Sequence, residues 1–231
     1  MVFRSCGRRI GISADFRSSR SETRFRSAPR APHRSQWSPP PGASELRFMT
    51  TLITRRFPSR AALDAALAER LAQALAAQGP SAVMLAGGTT PLAAYRSLAE
   101  IPPPHDEGLH IVYSDERYVP SDSDASNFHQ TRVLLDALAL PPAGVKRVRT
   151  ELPLDEAAAD YERQLAALMK SGVRIGLGLL GLGADGHTAS LFGTADLERA
   201  RGRLAIAVHR PDGMSAVSVT PDFLARVAEP L

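Results

Sequence analysis

The chain has 231 residues, 44% of them hydrophobic and 23% charged, with a formal net charge of +4. That much apolar material can fill one large domain or two small ones and excludes a wholly disordered chain. The single cysteine, Cys6, excludes an intrachain disulfide and a thiolate cluster for zinc or iron–sulfur, so a reducing, cytoplasmic setting is expected. No run of about eighteen apolar residues reads as a membrane span, and residues 1–48 lack the apolar stretch of a secretory signal.

Residues 1–48 hold ten arginines, no lysine and three acids, a formal +7, whereas residues 49–231 carry 18 Lys and Arg against 21 acids, a formal −3. The basic excess therefore belongs to the first fifth of the chain. That stretch is rich in Ser and Pro and has no apolar period, so it reads as a disordered extension. Translated sequence ahead of a start at Met49 is the favoured account, before an organelle transit peptide and a nucleic-acid-binding arm. The folded domain is expected over 49–231.

From Met49 the pattern alternates strand-like runs and helical periods, which predicts an α/β domain with an open, mostly parallel sheet flanked by helices, Rossmann-like. A strand is expected over Leu52 to Phe57. Ser59 can cap a helix in which Leu63, Leu67, Leu71 and Leu75 recur every four residues, and Gly79-Pro80 ends it. Ala82 to Ala86 reads as a buried strand, followed by Gly87-Gly88-Thr89 and a helix capped by Thr90 with Pro91 at its first position. Leu109 to Tyr113 is the next strand, Ser114 to Ala125 a polar loop, and Asn127 to Leu138 a helix. A further helix covers Asp155 to Lys170. Ile175 to Leu180 is the most apolar strand; Leu204 to Val208 and Ala216 to Val219 are two more, and Pro221 opens a last helix.

Three polar loops follow strands, where ligands bind in open α/β sheets. In the first, Gly87, Gly88, Thr89 and Thr90 lead into a helix start, where free N–H groups and the helix dipole favour an anion such as phosphate. Two glycines also simply make a tight turn, and the loop is neither a P-loop nor a dinucleotide fingerprint, so ATP and NAD are not supported. The second is Ser114-Asp115-Glu116-Arg117-Tyr118-Val119 with Ser126-Asn127. Arg117 can pair with a phosphate, and Asp115 and Asn127 can hold sugar hydroxyls, although such a run is as often a solvated loop. The third runs from Gly181 through Gly183, Asp185, Gly186 and His187 to Phe192. Its glycines force an irregular backbone that brings His187 to the sheet edge, where imidazole suits proton transfer near neutrality and Asp185 can orient it. Ser190 lacks an identifiable base as a nucleophile. No His, Cys or acid grouping has metal-ligand spacing, so no metal and no cofactor are expected.

Together, Ala86-Gly87-Gly88-Thr89-Thr90-Pro91, Asp115-Glu116-Arg117-Tyr118-Val119 with Ser126-Asn127, and Gly181-Leu182-Gly183-Ala184-Asp185-Gly186-His187-Thr188-Ala189-Ser190-Leu191-Phe192 resemble the 6-phosphogluconolactonase family, over roughly Met49 to Leu231. The related glucosamine-6-phosphate deaminases have Asp-Glu-Tyr in the second motif and Ile-Ala-Phe-Asn after the histidine; Arg117 and Thr188 to Phe192 fall on the lactonase side. The resemblance implies hydrolysis of 6-phospho-D-glucono-1,5-lactone in the oxidative pentose phosphate pathway. It implies that Gly87 to Thr90 and Arg117 hold the phosphate, that His187 acts as general base, and that N–H groups of the Gly183 and Gly186 loop meet the oxyanion. The implied partner is a small sugar-phosphate lactone, without nucleic acid or membrane, for a monomer or weak homo-oligomer. The chain departs from the family in having Gly176 where Asp is usual, in lacking a Pro between Phe192 and Gly193, and in lacking an arginine near Ala216. The resemblance also implies a further C-terminal strand, a Gly-x-x-Lys segment and a helix. Measured against it the chain is expected to be a truncated member with an exposed sheet edge and low stability or activity. A deaminase-type enzyme and a non-catalytic sugar-phosphate binder are the alternatives.

Overall fold

A computed structural model of the chain describes residues 9–13 and 52–231. Apart from Arg9–Ser13, the expected disordered extension lies outside the described residues. Arg9–Ser13 forms β1, which pairs in parallel with β2 (Leu52–Arg56).

Helix α1 (Arg60–Leu75) begins where Ser59 Oγ accepts from the Ala62 N–H, and its four-residue leucine period buries Leu63, Leu67, Leu71 and Leu75, the last three in the core against the sheet. It is followed by β3 (Ser81–Leu85), α2 (Leu92–Glu100), β4 (Leu109–Tyr113), β5 (Asp115–Arg117) and α3 (Asn127–Leu138). Then come α4 (Leu154–Lys170), β6 (Arg174–Gly178), α5 (Thr194–Arg199), β7 (Ala205–His209), β8 (Ser215–Val219), α6 (Pro221–Leu224) and β9 (Glu229–Pro230).

A parallel sheet has the order β4-β3-β6-β9, and its strand residues alternate between two apolar layers. Val83, Leu85, Ile111, Tyr113 and Leu177 pack with α1, α2 and α3; Ala82, Met84, Val112 and Ile175 pack with α4, β8 and α6. The pairing of β3 with β6 shifts between Ala82 and Val83, leaving Gly176 as a bulge. Beside β6 the sheet ends in the two-residue β9, tied to α1 by the Arg70–Glu229 ion pair.

The segment expected to be one polar loop holds a strand instead. Ser114 donates its N–H to the Leu85 carbonyl of the parallel sheet, while its own carbonyl accepts from Val219. From that residue onward the chain leaves β3, and β5 joins an antiparallel sheet of order β5-β8-β7. The fork opens the sheet at its carboxyl edge. Buried tyrosines finish the strand ends there: Tyr95 Oη donates to the Ala86 carbonyl at 2.8 Å, and Tyr161 Oη donates to the Tyr113 carbonyl at 2.7 Å while accepting from its N–H. Thr90 does not cap α2. Residues 88–91 form a turn, and the cap position is Pro91, which has no side-chain hydrogen bond to give. Among the described residues no helix is long and apolar enough to cross a membrane.

Candidate active site

The loops that follow β3, β5 and β6 converge on a cleft of about 610 Å³. Gly87, Gly88, Thr90, Asp115, Arg117, Asn127, Gly183 and His187 line it, with Leu63, Leu67 and Leu179 on the apolar wall. Asp185 and Gly186 lie on the far side of the histidine, lining an adjoining hollow of about 210 Å³. Thr89 lines neither; its carbonyl accepts from Arg60 at 3.0 Å.

His187 is fixed from three sides. Its Nδ1 lies 2.5 Å from Asp185 Oδ1, its ring packs on Phe192 with centroids 4.4 Å apart, and its carbonyl accepts from the Gly183 N–H at 2.8 Å. The hydrogen bond to His187 holds the Asp185 carboxyl below the usual carboxylate range, so Asp185 stays an acceptor. Nδ1 is then the nitrogen that donates to the carboxylate, which leaves Nε2 as the other ring nitrogen free of that contact. Gly183 is demanded by this arrangement: a Cβ there would meet His187 Nδ1 at 2.2 Å and Asp185 Oδ1 at 2.6 Å. Gly186 turns the chain at φ +86°.

Ser190, weighed above as a nucleophile, is fully buried and donates its hydroxyl to Asp115 Oδ2 at 2.7 Å. It supports the Asp115 carboxylate, whose other oxygen accepts from Ser114 Oγ. The preceding residue, Ala189, holds φ +50°, a costly conformation for a residue with a Cβ.

Asn127 gives its side-chain N–H to the Asp115 carbonyl at 2.9 Å, and its Oδ1 lies buried against Gly87, where a Cβ would stand only 1.8 Å away. The amide therefore couples the first two loops. Gly88, at φ +89°, donates its N–H to Gln130 Oε1 at 3.1 Å, so this amide is already engaged. Among the described residues the Thr89 and Thr90 amides have no partner. Arg60 clamps the outer side of the loop through the Thr89 and Thr90 carbonyls.

Glu116 is the neighbour that the sequence presents as one more charge in a solvated run. It is 2% exposed and caps α3, accepting from the Asn127 N–H at 2.7 Å, the Phe128 N–H at 2.7 Å and Ser126 Oγ at 3.2 Å. Burial pushes its carboxyl up to about 7, with those donors opposing. A folded-state value above the unfolded one means that the folded chain keeps a proton the unfolded chain releases. The resulting stability is fully present below about pH 4.5 and is lost as pH rises through about 7. Between about pH 5 and pH 8 the unfolding free energy of the natural chain, from urea melts, is expected to fall relative to Glu116→Gln by about 2–3 kcal/mol. A difference independent of pH would contradict this assignment.

Arg117 lines the cleft with its Nη1 donating to the Ala125 carbonyl at 2.8 Å. A second guanidinium, Arg210, lines it too and was not among the expected site residues. Pro211-Asp212-Gly213 signals the turn that carries it, but only the pairing of β7 with β8 brings that turn beside Ser190 and Phe192. Among the described residues no group of three His, Cys, Asp or Glu side chains could hold a metal ion.

Residues 59–229 match the family model described as glucosamine-6-phosphate isomerases/6-phosphogluconolactonase. A 6-phosphogluconolactonase of Thermotoga maritima is 44% identical over 117 residues, 50% of each chain, and one of Synechocystis is 35% identical over 171 residues, 68% of this chain and 67% of the relative. The crystal structure of the Thermotoga maritima 6-phosphogluconolactonase aligns with a TM-score of 0.57 at 35% identity, covering 71% of this chain and 72% of that one. The structure from Shewanella baltica aligns with a TM-score of 0.63 at 27% identity, covering 74% and 76%. The matched stretch thus spans half the length of the first curated relative and about two thirds of the second. With the model matched over most of the chain and the three loops gathered at one cleft, the chain belongs to the glucosamine-6-phosphate isomerase/6-phosphogluconolactonase family.

Proposed function

We propose that the cleft hydrolyses 6-phospho-D-glucono-1,5-lactone to 6-phospho-D-gluconate, a carboxylic-ester hydrolase step of the oxidative pentose phosphate pathway. The observation that carries this reading is His187, held by Asp185 through Nδ1, in the same cleft as Arg117 and the Gly87 to Thr90 loop. The names of the relatives support it, since those of Thermotoga maritima and Synechocystis, at 44% and 35% identity, are 6-phosphogluconolactonases.

Arg117 and the Gly87 to Thr90 loop, with the Thr90 amide at the cleft, would hold the 6-phosphate, and that anchoring places the lactone carbonyl near His187. His187 Nε2 accepts a proton from water as the water oxygen bonds to C1, and the carbonyl electrons move onto oxygen. When the oxyanion collapses, the bond from C1 to the ring oxygen breaks and the imidazolium returns its proton to that oxygen. Asp185 fixes the tautomer and ring orientation and stabilises the transient positive charge. No metal or covalent intermediate enters this sequence of steps.

The test compares the phosphorylated lactone with glucono-1,5-lactone lacking the phosphate. The natural chain is expected to prefer the phosphorylated substrate by about a hundredfold or more in kcat/KM, and Arg117→Met to erase most of that preference, through KM. Equal rates on both lactones, or ammonia release from glucosamine 6-phosphate in place of lactone loss, would overturn the reading.

A further inference from the structure

We infer that Arg210 binds the C1 end of the substrate, stabilising the oxyanion and the product carboxylate, while Arg117 serves the phosphate. The inference rests on the hydrolytic reading above and assigns a second charged contact within that site.

An arginine beside a hairpin turn ordinarily extends into water. Arg210 sits beside the β7–β8 turn, with its N–H donating to the Met214 carbonyl and Gly213 at φ +84°, yet its side chain is only 14% exposed. The guanidinium folds back over the Phe192 ring, 5.2 Å from its centroid, and Phe192 is the ring that packs on His187. Arg210 is thereby built into the histidine loop, whereas Arg117 is tied through Ala125 to the segment leading into α3.

Its hydrogen bonds are unevenly spent. Nε and Nη2 face Asp212, at 3.1 and 2.8 Å, while Nη1 has one long bond of 3.3 Å to Ser190 Oγ. Ser190 donates its hydroxyl hydrogen bond to Asp115, so its lone pairs are left to accept from the guanidinium and hold it in register. A guanidinium has five N–H donors in a planar fork. Asp212 orients the fork from one side, and the Nη1 edge remains for an anion in the cleft. The substrate atom that gains negative charge in the proposed hydrolysis is the C1 carbonyl oxygen, and Arg210 shares with His187 both the cleft lining and the Phe192 ring. A fixed donor aimed there acts most strongly once that charge has formed.

The experiment measures turnover and binding together. Arg210→Met is expected to lower kcat by about a hundredfold on the phosphorylated and the unphosphorylated lactone alike. By calorimetry it is expected to weaken 6-phosphogluconate binding by about tenfold and leave glucose 6-phosphate, which has the phosphate but no carboxylate, within about twofold. Arg210→Lys keeps the charge and loses the fork; if the Met variant does not fold, the same split is expected in it at smaller size. Loss confined to KM on the phosphorylated lactone, equal weakening of both ligands, or unchanged values would overturn this assignment while leaving the hydrolytic reading intact. A natural chain that does not accelerate lactone loss would overturn both.

Discussion

His187→Ala is expected to lower kcat for 6-phospho-D-glucono-1,5-lactone by about 10²–10⁴ with little change in KM, the range that one positioned acid–base group supplies. The ring belongs to the cleft wall, and in the proposed mechanism its removal takes away the proton acceptor for water and the proton donor for the ring oxygen. The proposed phosphate contacts lie on other loops, so ground-state binding is expected to be kept. Stability should change little, because the ring packs on Phe192 at the cleft and is not part of either main apolar layer. An added imidazole that restores part of the lost rate would show that the missing group is the proton carrier. A variant with full activity would remove His187 from the mechanism.

The second large effect needs no change to any reacting group. Gly183→Ala places a methyl 2.2 Å from His187 Nδ1 and 2.6 Å from Asp185 Oδ1, so the pair must move. Gly183 is not at positive φ, and its backbone does not itself forbid alanine. The expected outcome is a fall of about a hundredfold in kcat, the scale that a displacement of about 1 Å brings at a catalytic group, with the thermal midpoint nearly unchanged. Gly176→Ala is the matched control. A Cβ at that bulge meets nothing within 4 Å, and near-normal turnover is expected. Equal rates for the two variants would contradict the tight coupling of Gly183 to the pair.

Much of this arrangement was legible in local pattern. The leucine period of α1, the Ser59 cap, the helical run of α3 and the buried run of β3 are signals carried by neighbouring residues, and the structure places those elements within a residue or so of expectation. The cleft was legible for a related reason: the segments after β3, β4 and β6 leave parallel strands whose carboxyl ends share one edge. What escaped depends on pairing between distant segments. Asp115-Glu116-Arg117 has no strand pattern and becomes β5 only because β8 lies beside it. Glu116 looks solvated until α3 offers its first amides to the carboxylate. The partner of Ser190 is not visible locally, because its hydroxyl donates a hydrogen bond to Asp115, 75 residues earlier. Arg210 enters the site only through the antiparallel sheet.

The most direct test of the central claim is the initial rate of 6-phospho-D-glucono-1,5-lactone loss against protein concentration, with 6-phosphogluconate counted by a coupled dehydrogenase. A rate above spontaneous hydrolysis, proportional to protein and matched by product, is the predicted result. A rate equal to the spontaneous one at every concentration would contradict it.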